Sequence, residues 1–295
     1  MKKYLFLLFA TILIVFSCKN EKNDNQLNIS KDTTEKISPP NIVKFSNKTF
    51  GVPSPLMVSD LIKQKNIPFY SDKLNSVENK TKYLTSFKKA LNLGIYGADL
   101  GYILLYDQLG TSGEYFATVK ELAENLGIMN SLQEKTLERI QKNNENKDSL
   151  IAIISNVFRD IDEYLLDNKQ QDIGIYIIVG GWIESIYLLT NVINDYNDND
   201  LIQRLAEQKY PLNNILELIK PYYNKSPQTD TLIDKLVDIS MIYDGIEEIY
   251  HYKNSKTIPK KKLTIVNSTT EYKITKQQIS QIKNKIIALR NWVVN

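Results

Sequence analysis

Two apolar segments that each contain a single acidic residue restrict the fold of this chain more than any other feature. In residues 91–106 the only charged side chain is Asp99, and in residues 173–194 it is Glu184. Each segment is too long for an ordinary strand and too apolar for a surface helix, so both predict central helices buried in a core. A buried carboxyl group must be paired with a cation or protonated. The chain is therefore expected to fold around two buried acids.

The second segment is also close in length to a helix that crosses a bilayer. Glu184 lies near its centre, where an ionised side chain in hydrocarbon costs a few kcal/mol. Small and polar residues weaken the case for a membrane span further: Gly174, Gly180, Gly181, Ser185 and Asn191. A buried central helix accounts better for this composition.

Few arginines are available to pair with the two acids. Of the four in the chain, Arg159 and Arg290 lie in helices with a core pattern. A tyrosine follows each acid by three residues, on the same helix face. These residues form a candidate pocket or a buried polar network: Asp99, Tyr102, Glu184, Tyr187, Arg159 and Arg290. A network would only stabilise the core, whereas a pocket with raised carboxyl pKa values would bind a ligand or act on it, as paired carboxylates do in glycosidases.

The stretch GIYGADLGY, residues 94–102, places three glycines around the first acid. A dinucleotide-binding loop requires GxGxxG directly after a strand, and a Walker-type loop requires Gly-Lys-Ser/Thr. Here the spacing is GxxGxxxG and the preceding residues favour a helix. At about 100° per residue, Gly94, Gly97, Ala98 and Gly101 share one strip of the helix surface. The pattern predicts the close approach of a second helix backbone.

Helix signals recur along the chain and predict an all-α fold, either a multi-helix bundle or an irregular helical array. One helix is expected to begin at the Ser76 cap and end at Gly110, and the next to end at Gly127. Only residues 263–274 favour a small β-hairpin. Further helices are expected at residues 131–142, 149–168 and 173–193, from 211 onward, and at 227–252 and 276–294.

Two parts of the chain share a pattern that favours an internal duplication of a helical hairpin. Asp99 and Glu184 each lie in the middle of an apolar helix. Each of these helices is followed, after a turn, by a helix that contains Leu-Ala-Glu, at residues 122–124 and 205–207. The offsets of 85 and 83 residues nearly agree. Chance similarity is the open alternative.

The N-terminus has the layout of a bacterial export signal. Lys2 and Lys3 precede a short apolar stretch that ends in VFSC, residues 15–18. These four residues resemble the lipobox of bacterial lipoproteins, in which the signal is cut before the cysteine and the cysteine carries palmitate and other acyl chains. The resemblance implies that residues 1–17 are a signal peptide and that Cys18, the only cysteine, is lipidated. The alternative is a cleaved signal followed by a free cysteine.

The chain after the signal divides into two parts. Residues 18–48 are rich in polar residues and lack an apolar period, which predicts a flexible tether from the lipidated Cys18. Residues 49–295 are long enough to bury one core and predict a single helical domain. In lipoproteins an aspartate after the cysteine favours the inner membrane, so Lys19 implies the outer membrane. Periplasmic and surface-facing orientations both stay open.

Charge and residue types exclude several function classes. Loss of the signal would lower the formal net charge from +3 to +1, so no broad attraction to nucleic acid is expected. His251 is the only histidine, and we expect no catalytic triad, metal site or cofactor. The local exception is KNSKTIPKKK, residues 253–262. Its five lysines either contact lipid phosphates or form a solvated loop.

The chain resembles the uncharacterised all-helical lipoproteins of Bacteroidetes in its lipobox and in LGIYGADLGYILLYDQ, GGWIESIYLL and ALRNW. The resemblance implies a location and a fold but no activity. We expect a membrane-anchored cell-envelope lipoprotein that acts as a non-enzymatic binding or scaffolding module, with an unknown envelope protein or glycan as its partner. One alternative is an envelope glycan hydrolase that uses Asp99 and Glu184 as paired carboxylates. The other is a structural subunit of an envelope complex.

Overall fold

A computed structural model describes residues 41–45, 48–52, 54–128, 149, 170–193 and 198–295. The helices that lie wholly within these residues dominate the structure, which confirms the predicted all-α fold. They are α1 Pro55–Gln64, α2 Ser86–Leu105, α3 Leu109–Asn125, α4 Gln171–Val192, α5 Asn199–Ala206, α6 Lys209–Ile219, α7 Pro227–Asp244 and α8 Lys276–Val294. The helices expected at 131–142 and 149–168 lie outside the described residues, apart from residue 149.

Helices α2 and α4 form the centre of the core, and every α2 residue from Ala90 to Leu105 is buried. The two backbones nearly touch. A Cβ atom on Gly94 would lie 2.0 Å from the carbonyl oxygen of Ile177, and one on Gly180 would lie 1.9 Å from that of Leu91. The close backbone approach predicted around Gly94 is thus confirmed. Glycine is required at these positions because any side chain would collide with a main-chain carbonyl.

Helix α1 lies across the same pair of helices and uses two further glycines. A Cβ atom on Gly101 would lie 2.4 Å from a methyl carbon of Leu56, and one on Gly181 would lie 3.2 Å from the ring of Pro55. Helix α8 also packs against both α2 and α4. The two apolar helices are therefore covered by neighbours over much of their length.

Among the described helices, α4 is the one that is long and apolar enough to cross a membrane by length and composition. In this structure 83% of its most apolar stretch is buried inside the protein. The burial follows from its contacts with α1, α2 and α8. This arrangement fits the core helix predicted from its composition.

The boundaries around α2 differ from the prediction of one helix between Ser76 and Gly110. Ser76 caps a short 3₁₀ segment instead, and α2 begins at Ser86 with the Thr85 hydroxyl accepting from the Lys88 N–H. Helix α2 then ends before Asp107, which has a φ of 57°. The Lys63 ammonium group of α1 donates to the Leu105 carbonyl and to the Asp107 carboxylate. This contact with a distant helix stabilises a break that local propensity does not reveal.

The strands form two-stranded antiparallel units. At the start of the described chain, β1 Asn41–Phe45 pairs with β2 Lys48–Val52. The last part of the predicted tether, residues 18–48, therefore overlaps this β-hairpin. The overlap was missed because a five-residue strand is too short to stand out from a polar window.

The remaining strands lie between α7 and α8, in the region where a small β-hairpin was predicted near 263–274. They are β3 Glu247–His251, β4 Lys256–Ile258, β5 Leu263–Ile265 and β6 Thr269–Lys273. Strand β3 pairs with β6, and β4 pairs with β5. The β region is therefore longer than expected, because α7 ends at Asp244 rather than continuing to 252. We call residues 247–273 the β-ribbon.

The Leu-Ala pairs of the two segments suggested as a duplication are buried to a similar extent. Leu122 and Ala123 in α3, like Leu205 and Ala206 in α5, are almost completely buried. The helices that carry them differ in length, with 17 residues in α3 and 8 in α5. The duplication stays a prediction.

Candidate functional site: a buried acid pair and its arginine

The close contact between α2 and α4 brings the two predicted acids into one site. Asp99 lies five residues after Gly94, and Glu184 lies four residues after Gly180. Both acidic residues are completely buried, with 0% of their surface exposed. Burial raises the pKa of Asp99, and the Glu184 carboxylate is close enough for its negative charge to raise it further. The glycine crossing thus explains how two acids far apart in sequence meet.

Arg290 of α8 supplies the cation. Its Nε donates to Glu184 Oε2 at 2.6 Å, and its Nη2 donates to Oε1 at 2.9 Å, which makes a bidentate ion pair. The ring of Tyr187 covers the guanidinium group at 4.0 Å. Burial alone would lower the pKa of Arg290, but the Glu184 carboxylate outweighs this effect and raises it. Arg290 is therefore charged, and it neutralises one of the two acids.

The surroundings of Asp99 favour the protonated form of its carboxyl group. Burial is the main cause of its raised pKa, the charge of Glu184 adds to it, and Arg290 opposes it. One carboxyl oxygen, Oδ2, accepts from the Asn75 N–H at 3.0 Å. The other, Oδ1, has no hydrogen-bond partner among the described residues. A proton on Asp99 would make this carboxyl group a donor, and the Glu184 carboxylate is an acceptor nearby.

The acid pair and the arginine also hold the irregular connector between α1 and α2. Arg290 Nη2 donates to the Lys73 carbonyl at 3.2 Å, two residues before the Asn75 N–H that Asp99 binds. The connector is thus bound from α2 and from α8. We call Asp99, Glu184 and Arg290, together with the backbone of 73–75, the acid–arginine clamp.

A layer of polar side chains surrounds the clamp, and the sequence did not single it out. The Asn75 side-chain amide donates to the Tyr83 hydroxyl at 3.0 Å and to Asn92 Oδ1 at 3.4 Å. Asn92 also donates to the Val293 carbonyl at 3.1 Å. One signal was available, since Asn92 lies within the same apolar segment as Asp99 but carries no charge.

The end of α8 is bound to the start of α2, which positions Arg290. The Lys88 ammonium group donates to the Trp292 carbonyl and, at 3.0 Å, to the Val293 carbonyl. Such donors satisfy carbonyl groups that a helix C-terminus leaves free. The same ammonium group lies 5.2 Å from the Trp292 ring centre. Burial lowers the pKa of Lys88.

The other predicted site residues divide between the clamp and its surroundings. Tyr187 contributes its ring face to Arg290. The hydroxyl of Tyr102 accepts a hydrogen bond from the Tyr70 N–H at 3.2 Å, and its ring packs against those of Phe69 and Tyr106. Tyr102 therefore belongs to an adjacent aromatic cluster. Arg159, the other arginine proposed for the acids, lies outside the described residues.

The burial of the two carboxyl groups contradicts the glycan hydrolase alternative. A glycosidase needs an open cleft in which two carboxyl groups flank the sugar. Here both acids are sealed in the core, and one of them is occupied by Arg290. We infer a structural role for the clamp.

Other polar groups in the described part of the chain lie apart from the clamp. No group of three or more His, Cys, Asp or Glu residues suited to a metal ion is found there. His251 is exposed on β3, where its Nε2 lies 3.3 Å from the Glu271 carboxylate. An open groove of about 320 Å³ between α7 and α8 contains Asp238 and Lys285, which pair with each other at 2.7 Å.

The raised pKa of Asp99 leads to a prediction about pH dependence. The folded protein keeps the Asp99 proton above about pH 4, whereas the unfolded chain loses it there. The stabilisation from this proton is complete below that pH and is lost as the pH rises towards the folded pKa. In Asp99→Asn this loss disappears, because the amide does not titrate. The free energy of unfolding of the variant minus that of the wild type should rise by about 1.4 kcal/mol per pH unit across this window.

Urea unfolding of both proteins at several pH values above 4 measures this difference. Carboxyl groups remote from Asp99 affect both proteins equally, so their contribution cancels. A difference that stays constant with pH would show that Asp99 is ionised in the folded protein.

Comparisons of this chain with protein-family models, with curated proteins and with solved structures find no match.

Proposed function

We propose that this protein is a membrane-anchored lipoprotein of the cell envelope whose helical domain acts as a non-enzymatic binding or scaffolding module. The lipobox-like sequence that ends at Cys18 supports the anchor, and Lys19 supports the outer membrane. An envelope protein or glycan is the partner we favour.

The distribution of exposed apolar side chains is the observation that carries the binding role. Asp99, Glu184 and Arg290 of the clamp are buried, so they are not exposed to a substrate. Large exposed apolar residues instead collect on the β-ribbon, which contributes Tyr250, Tyr252, Leu263, Ile265 and Val266. Apolar residues exposed in a group mark interaction sites more often than isolated ones do.

The anchor is tested by removing its acceptor. In cells fed an alkyne analogue of palmitate, the full-length chain should be labelled, and Cys18→Ala should lose all labelling because no other thiol exists. Lipoprotein acylation adds several chains, which hold a protein stably on a membrane. The matched control is Ser17→Ala, which keeps the thiol and a small residue before it. Equal labelling of the wild type and Cys18→Ala would contradict the anchor.

The binding role is separated from a structural role in an envelope complex by detergent extraction. A chain that is extracted together with the same partners in fixed amounts behaves as a complex subunit. A chain extracted alone, which gains a partner only when an envelope fraction is added, behaves as a binding module.

A further inference from the structure

The β-ribbon is held firmly at its base. The side-chain amide of Gln203 in α5 pairs with the main chain of Tyr272, donating to its carbonyl at 2.8 Å and accepting from its N–H at 2.9 Å. In α6, Lys209 pairs with Glu248 at 2.9 Å, and the Tyr210 hydroxyl donates to the same carboxylate. The start of the β-ribbon therefore has a fixed position on the helical domain.

Beyond its base the β-ribbon is not covered by the helices that the structure describes. Every residue from His251 to Thr270 is exposed except Ile258 and Ser268, which are half-buried. The ribbon is held together by its own contacts: Lys253 exchanges two hydrogen bonds of 3.0 Å with the Ser268 hydroxyl. Isolated two-stranded ribbons are only marginally stable in water. A surface that covers this end of the ribbon would stabilise it.

The outer end of the β-ribbon has one apolar face. Residues opposite each other in an antiparallel pair project to the same side, and neighbours alternate. The pairs Lys256–Ile265 and Ile258–Leu263 therefore share one face. The other face carries Thr257 and Thr264, whose hydroxyl oxygens are 3.2 Å apart. On the apolar face 45% of Leu263 and 40% of Ile265 are exposed, and 69% of Val266 is exposed just beyond them.

The charge of this end is entirely positive. Between Glu248 and Glu271 the chain contains no acidic residue. The same stretch contains five exposed lysines, and none of them forms an ion pair with a residue that the structure describes: Lys253, Lys256, Lys260, Lys261 and Lys262. Three of them are consecutive at the turn that joins β4 to β5. The surface therefore complements an anionic partner.

We propose that the outer end of the β-ribbon, residues 252–268, docks on the surface of a bilayer that contains anionic lipid. The lysines would contact lipid phosphates, while Leu263, Ile265 and Val266 enter the boundary between headgroups and acyl chains. Apolar burial and attraction to anionic lipid together bind such amphipathic segments to membranes. The proposal rests on the proposed function for the nearness of a membrane, and it would orient the domain on the membrane that anchors it.

A bilayer fits this surface better than two other occupants do. A second copy would bring five more lysines against the first five, and like charges repel. A nucleic acid would contact the lysines through its phosphates but would leave the aliphatic face in water. An anionic bilayer has both phosphates and hydrocarbon and therefore complements both parts of the surface.

The test uses the full-length chain, purified from membranes in detergent and reconstituted into vesicles. A Val266→Cys substitution introduces an exposed thiol for an environment-sensitive fluorophore, and the unsubstituted chain measures any labelling of Cys18. The vesicles are phosphatidylcholine alone or an equal mixture with phosphatidylglycerol. We expect the emission to shift to the blue only in the anionic vesicles, and to return when salt is raised.

Substitutions then identify the residues that are responsible. Each lysine near an anionic surface changes the docking constant about fivefold, so replacing Lys260, Lys261 and Lys262 by Gln should lower it about a hundredfold. The control replaces three other exposed lysines by Gln (Lys82, Lys225 and Lys276) and should leave the emission shift unchanged. Leu263→Ser with Ile265→Ser should lose the shift but keep the wild-type circular dichroism spectrum.

Three outcomes would overturn the proposal. The emission could be the same in both vesicle types, the control lysines could matter as much as Lys260–Lys262, or the chain could retard duplex DNA while ignoring anionic vesicles. Failure of the anchor has a different signature. A chain without lipid would not float with phosphatidylcholine vesicles, yet its emission would still shift with anionic ones.

Discussion

Replacement of Arg290 by Met is expected to lower the free energy of unfolding by about 3–5 kcal/mol. The substitution keeps most of the side-chain volume but removes the cation that pairs with Glu184 at 2.6 and 2.9 Å. It leaves a fully buried carboxylate beside a second acid, and it leaves the Lys73 carbonyl without this donor. Urea unfolding followed by the fluorescence of Trp182 and Trp292 measures the effect.

Two further variants serve as controls for Arg290→Met. Arg204→Met removes an arginine whose contact with Glu207 is partly exposed, and it should cost no more than about 1 kcal/mol. Glu184→Leu combined with Arg290→Met leaves no unpaired charge, so it should be more stable than Arg290→Met alone. If Arg290→Met were as mild as Arg204→Met, the acid–arginine clamp would have no structural importance.

Substitution of Ala at Gly94 or Gly180 should destabilise the fold by about 3 kcal/mol or more, at the upper end of what overpacking costs. The added Cβ atom would lie 2.0 Å from the Ile177 carbonyl oxygen in the first case and 1.9 Å from that of Leu91 in the second. A backbone carbonyl cannot move aside as a flexible side chain can, so α2 and α4 must separate. The same separation would pull Asp99 away from Glu184.

Gly113 provides the matched control for these variants. It lies in α3, where an added Cβ would meet no atom within 4 Å. Gly113→Ala should therefore stabilise the helix by about 0.5–1 kcal/mol, because alanine is the better helix former. Thermal unfolding of the three variants compares the effect of the same Gly→Ala change at the contact between α2 and α4 and on the open surface of α3. Destabilisation by Gly113→Ala equal to that by Gly94→Ala would contradict the role of close helix contact.

The acids could be predicted from the sequence because their surroundings are local. Asp99 and Glu184 could be identified because each is the only charged residue in a long apolar segment. Arg290 could be named because arginine is scarce and its own helix has a core pattern. The sequence does not show that Arg290 pairs with Glu184 rather than with Asp99, because the relative positions of α2, α4 and α8 decide which acid it reaches.

The rest of the clamp consists of main-chain groups, which cannot be identified from the amino-acid sequence. The Lys73 carbonyl and the Asn75 N–H belong to the backbone, which is the same for every residue, so only the fold shows that they are bound. The break at Asp107 depends on Lys63 from another helix. The β-ribbon was underestimated because β3 pairs with β6, whose residues lie about twenty positions further along the chain. Pairing at that distance is not encoded in the local hydrophobic pattern.

The residues of the clamp lie far apart in the sequence, and this affects the stability of incomplete chains. Arg290 meets Glu184 across 106 residues and reaches the connector across 217. During synthesis both apolar helices emerge long before their cation does. Any product that stops short of residue 290 carries an unneutralised carboxylate in its core and a connector held on one side only. Chains that end before residue 290 should therefore unfold more readily than the complete chain.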